Sequence, residues 1–157
     1  VCLLPLFMLL KALKLKNTLG AMILPYIAFR LPVSIMLIRS FFIGISKEME
    51  EAAILDGATL FQIYKEIYLP LSKPIMSTVV IMSTYYAWNE FVFATIFVDS
   101  SKLRTIPVGL MAFSDGLMTE WGVVLAGMVI ACLPIMILFI AMQKNFVRGM
   151  MAGSVKG

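Results

Sequence analysis

Carboxylates are the groups with which this chain could do chemistry, and they are unevenly placed. Five of the nine acidic residues fall between Glu48 and Glu66, inside the stretch from Ser46 to Pro70; the others are Glu90, Asp99, Asp115 and Glu120. The absence of histidine from the sequence excludes a Ser-His-Asp triad, a histidine proton relay and the common zinc-hydrolase ligand sets. Cys2 and Cys132 lie inside apolar runs and read as small buried hydrophobes rather than as a disulfide or a metal site. The catalytic reading that survives is a membrane-embedded acid–base pair drawn from Asn89-Glu90 with Asp99 or Asp115. It lacks a nucleophile, a metal set and carboxylates at catalytic spacing. No Gly-x-x-x-x-Gly-Lys-Ser/Thr sequence occurs either, so any ATP must be bound by another chain.

The elements that carry these groups are built for hydrocarbon. With 61% hydrophobic residues, 14% charged residues and a mean hydropathy of +0.97, the chain cannot make a soluble surface and is an integral membrane protein. The net charge of +4 does not point to nucleic acid, because the basic residues are scattered at the ends of apolar runs, without a basic stripe of interleaved aromatics. The expected fold class is all-α, a polytopic transmembrane helical bundle interrupted by one polar helix-turn-helix.

Residues 1–10 are apolar but reach only about 15 Å as a helix, half of a bilayer core, and are expected to be the end of a span that begins earlier. A signal-peptide core is the alternative, with Lys11, Lys14 and Lys16 on the wrong side of it. Asn17-Thr18 can cap the next helix, and complete spans are expected at about 21–42, 74–98 and 121–142. The first carries Pro25, Pro32 and Arg30, and the last carries Pro134 and opens on Trp121, an interfacial anchor. Residues 99–120 form a loop with turn signals at Pro107-Val108-Gly109 and Ser114-Asp115-Gly116.

Between the first two complete spans lies the acidic stretch, residues 46–70. Ser46 can cap a helix whose first turn carries Glu48, Glu50 and Glu51, and Gly57 ends it in a left-handed conformation. Thr59 and Gln62 have the capping-box pattern for a second helix with Leu60, Ile63, Tyr64, Ile67 and Tyr68 on one face, and Pro70 and Pro74 bracket its exit. Arg39, Lys47, Lys65 and Lys73 flank this stretch, and Lys144, Arg148 and Lys156 lie in the tail, against Lys102 and Arg104 in the loop 99–120. The positive-inside rule therefore puts stretch and tail in the cytoplasm; Lys11, Lys14 and Lys16, placed outside, are its exception.

Glu51-Ala52-Ala53, Asp56-Gly57-Ala58 and Ile67-Tyr68-Leu69-Pro70, at this spacing, resemble the EAA loop of the membrane subunits of bacterial ATP-binding-cassette importers. The resemblance extends over the chain in the form of the carbohydrate-uptake permeases, similar to the maltose and glycerol-phosphate systems. It is carried by Leu24-Pro25-Tyr26, Ala87-Trp88-Asn89-Glu90-Phe91, Thr105-Ile106-Pro107-Val108-Gly109-Leu110 and the ending from Phe146. It implies a multi-pass subunit of the bacterial cytoplasmic (inner) membrane, paired with a second homologous permease, an ATPase subunit dimer and an extracytoplasmic solute-binding protein. It implies no catalysis and no cofactor in this chain. Glu51, Ala52, Ala53, Asp56, Gly57 and Ala58 are the expected ATPase-subunit contact, in which small side chains allow close approach and the acids meet basic groups.

Arg30, Trp88, Asn89 and Glu90 are the candidate substrate path. A charge at mid-bilayer costs roughly 2.5–3.5 kcal/mol on an insertion scale, so Arg30 and Glu90 should face protein or water. Glu90 can alternatively serve helix packing, and Trp88 can stack on a sugar or anchor the interface. Arg30 departs from the family pattern, which leaves an anionic substrate, a pair with Glu90 or a snorkelling side chain. An importer for polyamines or phosphonates and an accessory membrane protein with a docking loop are the rival functions; the sequence does not name the sugar.

Overall fold

The structure, a computed structural model, describes residues 2–114 and 119–154, with side chains to Gln143. Its nine α-helices among the described residues are α1 (Leu3–Ala12), α2 (Gly20–Ile43), α3 (Lys47–Leu55), α4 (Leu60–Gln62), α5 (Leu69–Leu71), α6 (Lys73–Asn89), α7 (Val92–Phe97), α8 (Ile106–Leu110) and α9 (Trp121–Ser154). Two of them, α2 and residues 121–143 of α9, are long and apolar enough to cross a membrane. Only 17% and 6% of their most apolar windows are buried, so these faces await lipid or other protein. Pro25 and Pro32 do not interrupt α2, and α9 continues twelve residues past the expected end at 142.

The span expected at 74–98 is not one helix. It divides into α6 and α7 at Glu90-Phe91, with φ −123° and ψ −40° at Phe91. The physical reason is the Glu90 carboxylate, which accepts from the amides of Phe93 and Ala94 and so begins a second helix.

The chain divides into two compact units, Val1–Arg30 with Thr84–Ile137, and Leu31–Ser83 with Leu138–Gly157. In the first, α7 is central. Its Phe97 is wholly buried with Leu10 and Ala21 and stacks on Phe93 at 5.5 Å, and its Ala94 packs with Met22 and Val98. Gly127 of α9 lets the Leu110 side chain of α8 lie against the helix backbone, because a Cβ there would collide with it. The signal at Pro107 opens α8 rather than a turn, since proline suits the first turn of a helix. Ser114 and Thr119 pair as an isolated bridge; Asp115 and Gly116 between them lie outside the described residues.

Asn17-Thr18 do not cap α2. Thr18 Oγ1 donates back to the Leu15 carbonyl at 2.6 Å. Asn17, at φ +62°, donates its amide to the Phe97 carbonyl, and its Oδ1 accepts from the amides of Asp99 (3.1 Å) and Ser100 (2.8 Å). Asparagine tolerates this left-handed backbone, and its side-chain oxygen satisfies two amides just past the end of α7. Beside it Lys16 pairs with Asp99 at 2.9 Å and lies over the Phe7 ring. Cys2 and Cys132 are exposed rather than buried, because the apolar runs that hold them present those faces outward.

In the second unit, the helix expected to stop at Pro70 does not stop. Residues 63–68 form π-helical turns that pass into α5, and Ser72 alone separates α5 from α6. A proline cannot donate to the preceding turn and crowds its carbonyl; the wider π turns just before Pro70 absorb that misfit. The buried hydroxyls of Ser72, Ser77 and Thr78 donate to the carbonyls of Leu69, Lys73 and Pro74, so no polar group is stranded at this junction.

Candidate functional site

The polar stretch between α2 and α6 is assembled from local devices. Ser46 Oγ accepts from the Glu48 amide at 3.2 Å and starts α3, with Glu48 and Glu50 in its first turn. At the other end Gly57 has φ +80°. The Ala58 amide donates to Ala53 O (2.9 Å) and the Gly57 amide to Ile54 O (3.0 Å), a complete Schellman closure. Thr59 then forms a full capping box with Gln62, which accepts from the Thr59 amide at 2.8 Å and donates to Thr59 Oγ1 at 3.4 Å.

One long-range tie folds the stretch back on itself. The Tyr68 hydroxyl donates to Glu50 at 2.7 Å, and the Tyr68 ring packs edge-on against Phe42 of α2. The hydrogen bond to the Glu50 carboxylate, with lesser contributions from burial and from the carboxylate's charge, raises the Tyr68 phenol above its ordinary titration range.

Of the six residues expected to meet an ATPase subunit, Glu51, Ala52, Asp56 and Gly57 are exposed and Ala53 and Ala58 half-buried. Ala53 and Ala58 are joined by the Schellman bond itself, so part of their role is to end α3. Glu51 and Asp56 do not share a face: five residues turn about 140° around a helix. Glu51 instead aligns with Leu55 one turn on. The sequence singles out neither that leucine nor Phe61, and it puts Leu60 on the apolar face of the second helix; Leu55, Leu60 and Phe61 are 88%, 76% and 71% exposed and flank Gly57 on both sides. The signal was present, since apolar residues abutting a glycine joint in an otherwise polar stretch have no core to enter.

The candidate path residues are in the first unit, and each makes a contact with another protein group. Glu90 accepts from Tyr26 Oη of α2 at 2.7 Å as well as from the two α7 amides. Trp88 Nε1 donates to the Ala131 carbonyl of α9 at 2.9 Å, in the turn before Pro134, where a helical proline disturbs the carbonyl ladder. Asn89 Nδ2 donates to Tyr85 O at 2.8 Å and its side chain is exposed. The Arg30 guanidinium lies over the Tyr86 ring at 5.2 Å, and Tyr26 packs between Tyr86 (6.2 Å, edge-on) and Phe93 (6.4 Å, stacked). Tyr26 is thus the residue that joins this cluster together. Sequence reading quoted it only within a motif, since nothing local marks a tyrosine whose partner is 64 residues away.

The chain matches the family described as "Binding-protein-dependent transport system inner membrane component" over residues 1–152. It is similar to the probable ABC transporter permease protein YurM of Bacillus subtilis, with 57% identity over 100% of this chain and 52% of the relative. It is also similar to the trehalose/maltose transport system permease protein MalG of Thermococcus litoralis, with 38% identity over 97% of this chain and 55% of that protein. A third relative is the sulfoquinovosyl glycerol transport system permease protein SmoH of Agrobacterium fabrum, with 37% identity over 99% of this chain and 54% of that protein. The chain therefore spans about half the length of the curated relatives it matches.

Proposed function

The chain belongs to the family of binding-protein-dependent transport system inner membrane components, and from that membership we propose that it forms part of the permease subunit of an ATP-driven sugar importer. Membership places it among membrane components of transport systems rather than among enzymes. Carbohydrate as the cargo class is supported by relatives named for trehalose/maltose and for sulfoquinovosyl glycerol transport. A second, homologous permease, a pair of ATPase subunits and an extracytoplasmic solute-binding protein complete the assembly, with residues 46–70 and the C-terminus in the cytoplasm.

The observation that carries the coupling role is the joint at Gly57. Two capped helices meet there and present Leu55, Leu60 and Phe61, each more than two-thirds exposed, beside the free carboxylate positions of Glu51 and Asp56. An apolar knuckle with acids beside it fits a basic-rimmed apolar cleft on an ATPase subunit. Closure of the ATPase pair on ATP then carries the joint with it, and the membrane helices on either side follow as stiff bodies. Arg30, Trp88, Asn89 and Glu90 line the substrate route chiefly by holding its walls, since Trp88 and Glu90 each fasten one helix to another.

The test uses the full-length permease assembled with its partners. Gly57→Ala, which forces a side chain into a left-handed backbone at about 1–2 kcal/mol, and Leu55→Ser with Phe61→Ser should each weaken retention of the ATPase subunits about fivefold or more. ATP-dependent uptake should fall with it. Normal retention and undiminished uptake in these variants would sink the coupling role.

A further inference from the structure

The second unit contains a groove that the coupling role does not use. It has a volume of about 580 Å3 and is lined by Ile35, Ile38, Arg39, Phe42 and Ile43 of α2 and by Tyr68 of the π-helical turns. Four aliphatic or aromatic walls on the last turns of a membrane-crossing helix make it apolar along its length, while the guanidinium of Arg39 is the single cation on its lining. Arg39 stands four residues, about 6 Å, from the last residue of α2, which is headgroup rather than mid-bilayer depth. The nearest acid fixed to this lining is Glu50, and Tyr68 already donates to it.

We propose that this groove is a binding site for one anionic phospholipid, with an acyl chain against Ile35, Ile38, Phe42 and Ile43 and the phosphate on Arg39. The argument is complementarity of charge and polarity within one short depth. A hydrocarbon chain has no backbone donors or acceptors to satisfy in an apolar groove, whereas a polypeptide entering it would have to satisfy its own. Arginine presents a planar fork suited to phosphate oxygens. Tyr68 has the apolar ring and polar tip typical of the headgroup boundary, with its hydroxyl turned to Glu50. The orientation under Proposed function supplies only which leaflet the lipid comes from, namely the cytoplasmic one, where anionic lipid is attracted to juxtamembrane basic residues. Lys47, Lys65 and Lys73 lie close in sequence to the ends of the elements that form the groove and add to that field.

The experiment is native mass spectrometry of the full-length permease in its assembled transporter, after exchange into mild detergent with phosphatidylglycerol or phosphatidylcholine. Phosphatidylglycerol should be retained in preference to phosphatidylcholine. Arg39→Gln should reduce that preference about fivefold, Arg39→Lys should restore most of it, and Ile38→Trp, which fills the groove and leaves the cation, should abolish retention. Equal retention of the two lipids by the wild type, or an unchanged preference in Arg39→Gln, overturns the proposal. So does a photo-crosslinker at Ile38 that captures a protein subunit instead of lipid. ATP-dependent uptake is measured in the same preparations: normal uptake without lipid preference removes this inference alone, and lipid preference without uptake removes the transport reading alone.

Discussion

At the scale of single residues, the side chain with the largest structural role is Glu90. Its two oxygens accept from the Tyr26 hydroxyl, the Phe93 amide and the Ala94 amide at 2.7, 2.8 and 3.1 Å, so the carboxylate both starts α7 and joins α7 to α2. A charged acceptor with three donors is fully answered inside the protein, which is how an acid can stand in an apolar segment without facing water. Glu90→Ala removes all three bonds and leaves a tyrosine hydroxyl unpaired in an apolar region. It should lower the stability of the full-length permease by about 1.5–3 kcal/mol, read as the midpoint of thermal unfolding in detergent. Glu90→Gln keeps one acceptor oxygen and should recover part of that loss, as should Tyr26→Phe compared with Glu90→Ala. Equal stability of wild type and Glu90→Ala would mean that the break between α6 and α7 is set elsewhere.

At the scale of elements, residues 46–71 behave as a braced pair of helices because Tyr68 and Glu50 close the far side of the Gly57 joint. The phenol is raised by its hydrogen bond to Glu50, so the folded form holds its proton more tightly than the unfolded chain. The brace is therefore fully present below the ordinary tyrosine pKa of 10.0 and is lost as pH rises through the higher folded value. Ultraviolet difference titration of the wild type against Tyr68→Phe should place the Tyr68 phenol above the ordinary range, and Glu50→Gln should bring it back down; a Tyr68 midpoint unmoved by that substitution would refute the brace. The devices of this element were legible because they are local. Ser46, Gly57, Thr59 and Gln62 act within five residues of themselves, and each does what its chemistry dictates. The continuation through Pro70 was hidden, since a proline's usual effect is to end a helix and the π-helical relief has no sequence signature. The Tyr26–Glu90 bond and the tie at Asn17 were hidden for another reason: their partners are 64 and more than 80 residues distant, and only the packed chain brings them together. Long apolar helices such as α2 and α9 need only length and composition, and those are read directly from sequence.

At the scale of the whole molecule, the tie at Asn17 decides which loops share a face. Asn17 bonds the backbone at Phe97, Asp99 and Ser100, and Lys16 pairs with Asp99, so the connector before α2 and the loop after α7 are held together. The charge count had left Lys11, Lys14 and Lys16 as an exception to the positive-inside rule. Lys16 is paired with the Asp99 carboxylate at 2.9 Å, but the rule counts Lys and Arg rather than net charge, so the three lysines remain its exception. The orientation proposed for the importer then requires positions 14 and 102 to be extracytoplasmic together and position 51 to be cytoplasmic. In full-length permease with Cys2 and Cys132, both exposed here, replaced by serine, single cysteines at Lys14 and at Lys102 should react with a membrane-impermeant thiol reagent in intact cells. A cysteine at Glu51 should react only after permeabilisation. Because the Asn17 tie fixes the first two positions to the same side, a reagent that reaches one of them and not the other would contradict the fold itself. A reagent that reaches position 51 alone in intact cells would leave the fold standing and invert the orientation, moving the Gly57 joint out of reach of any ATPase subunit.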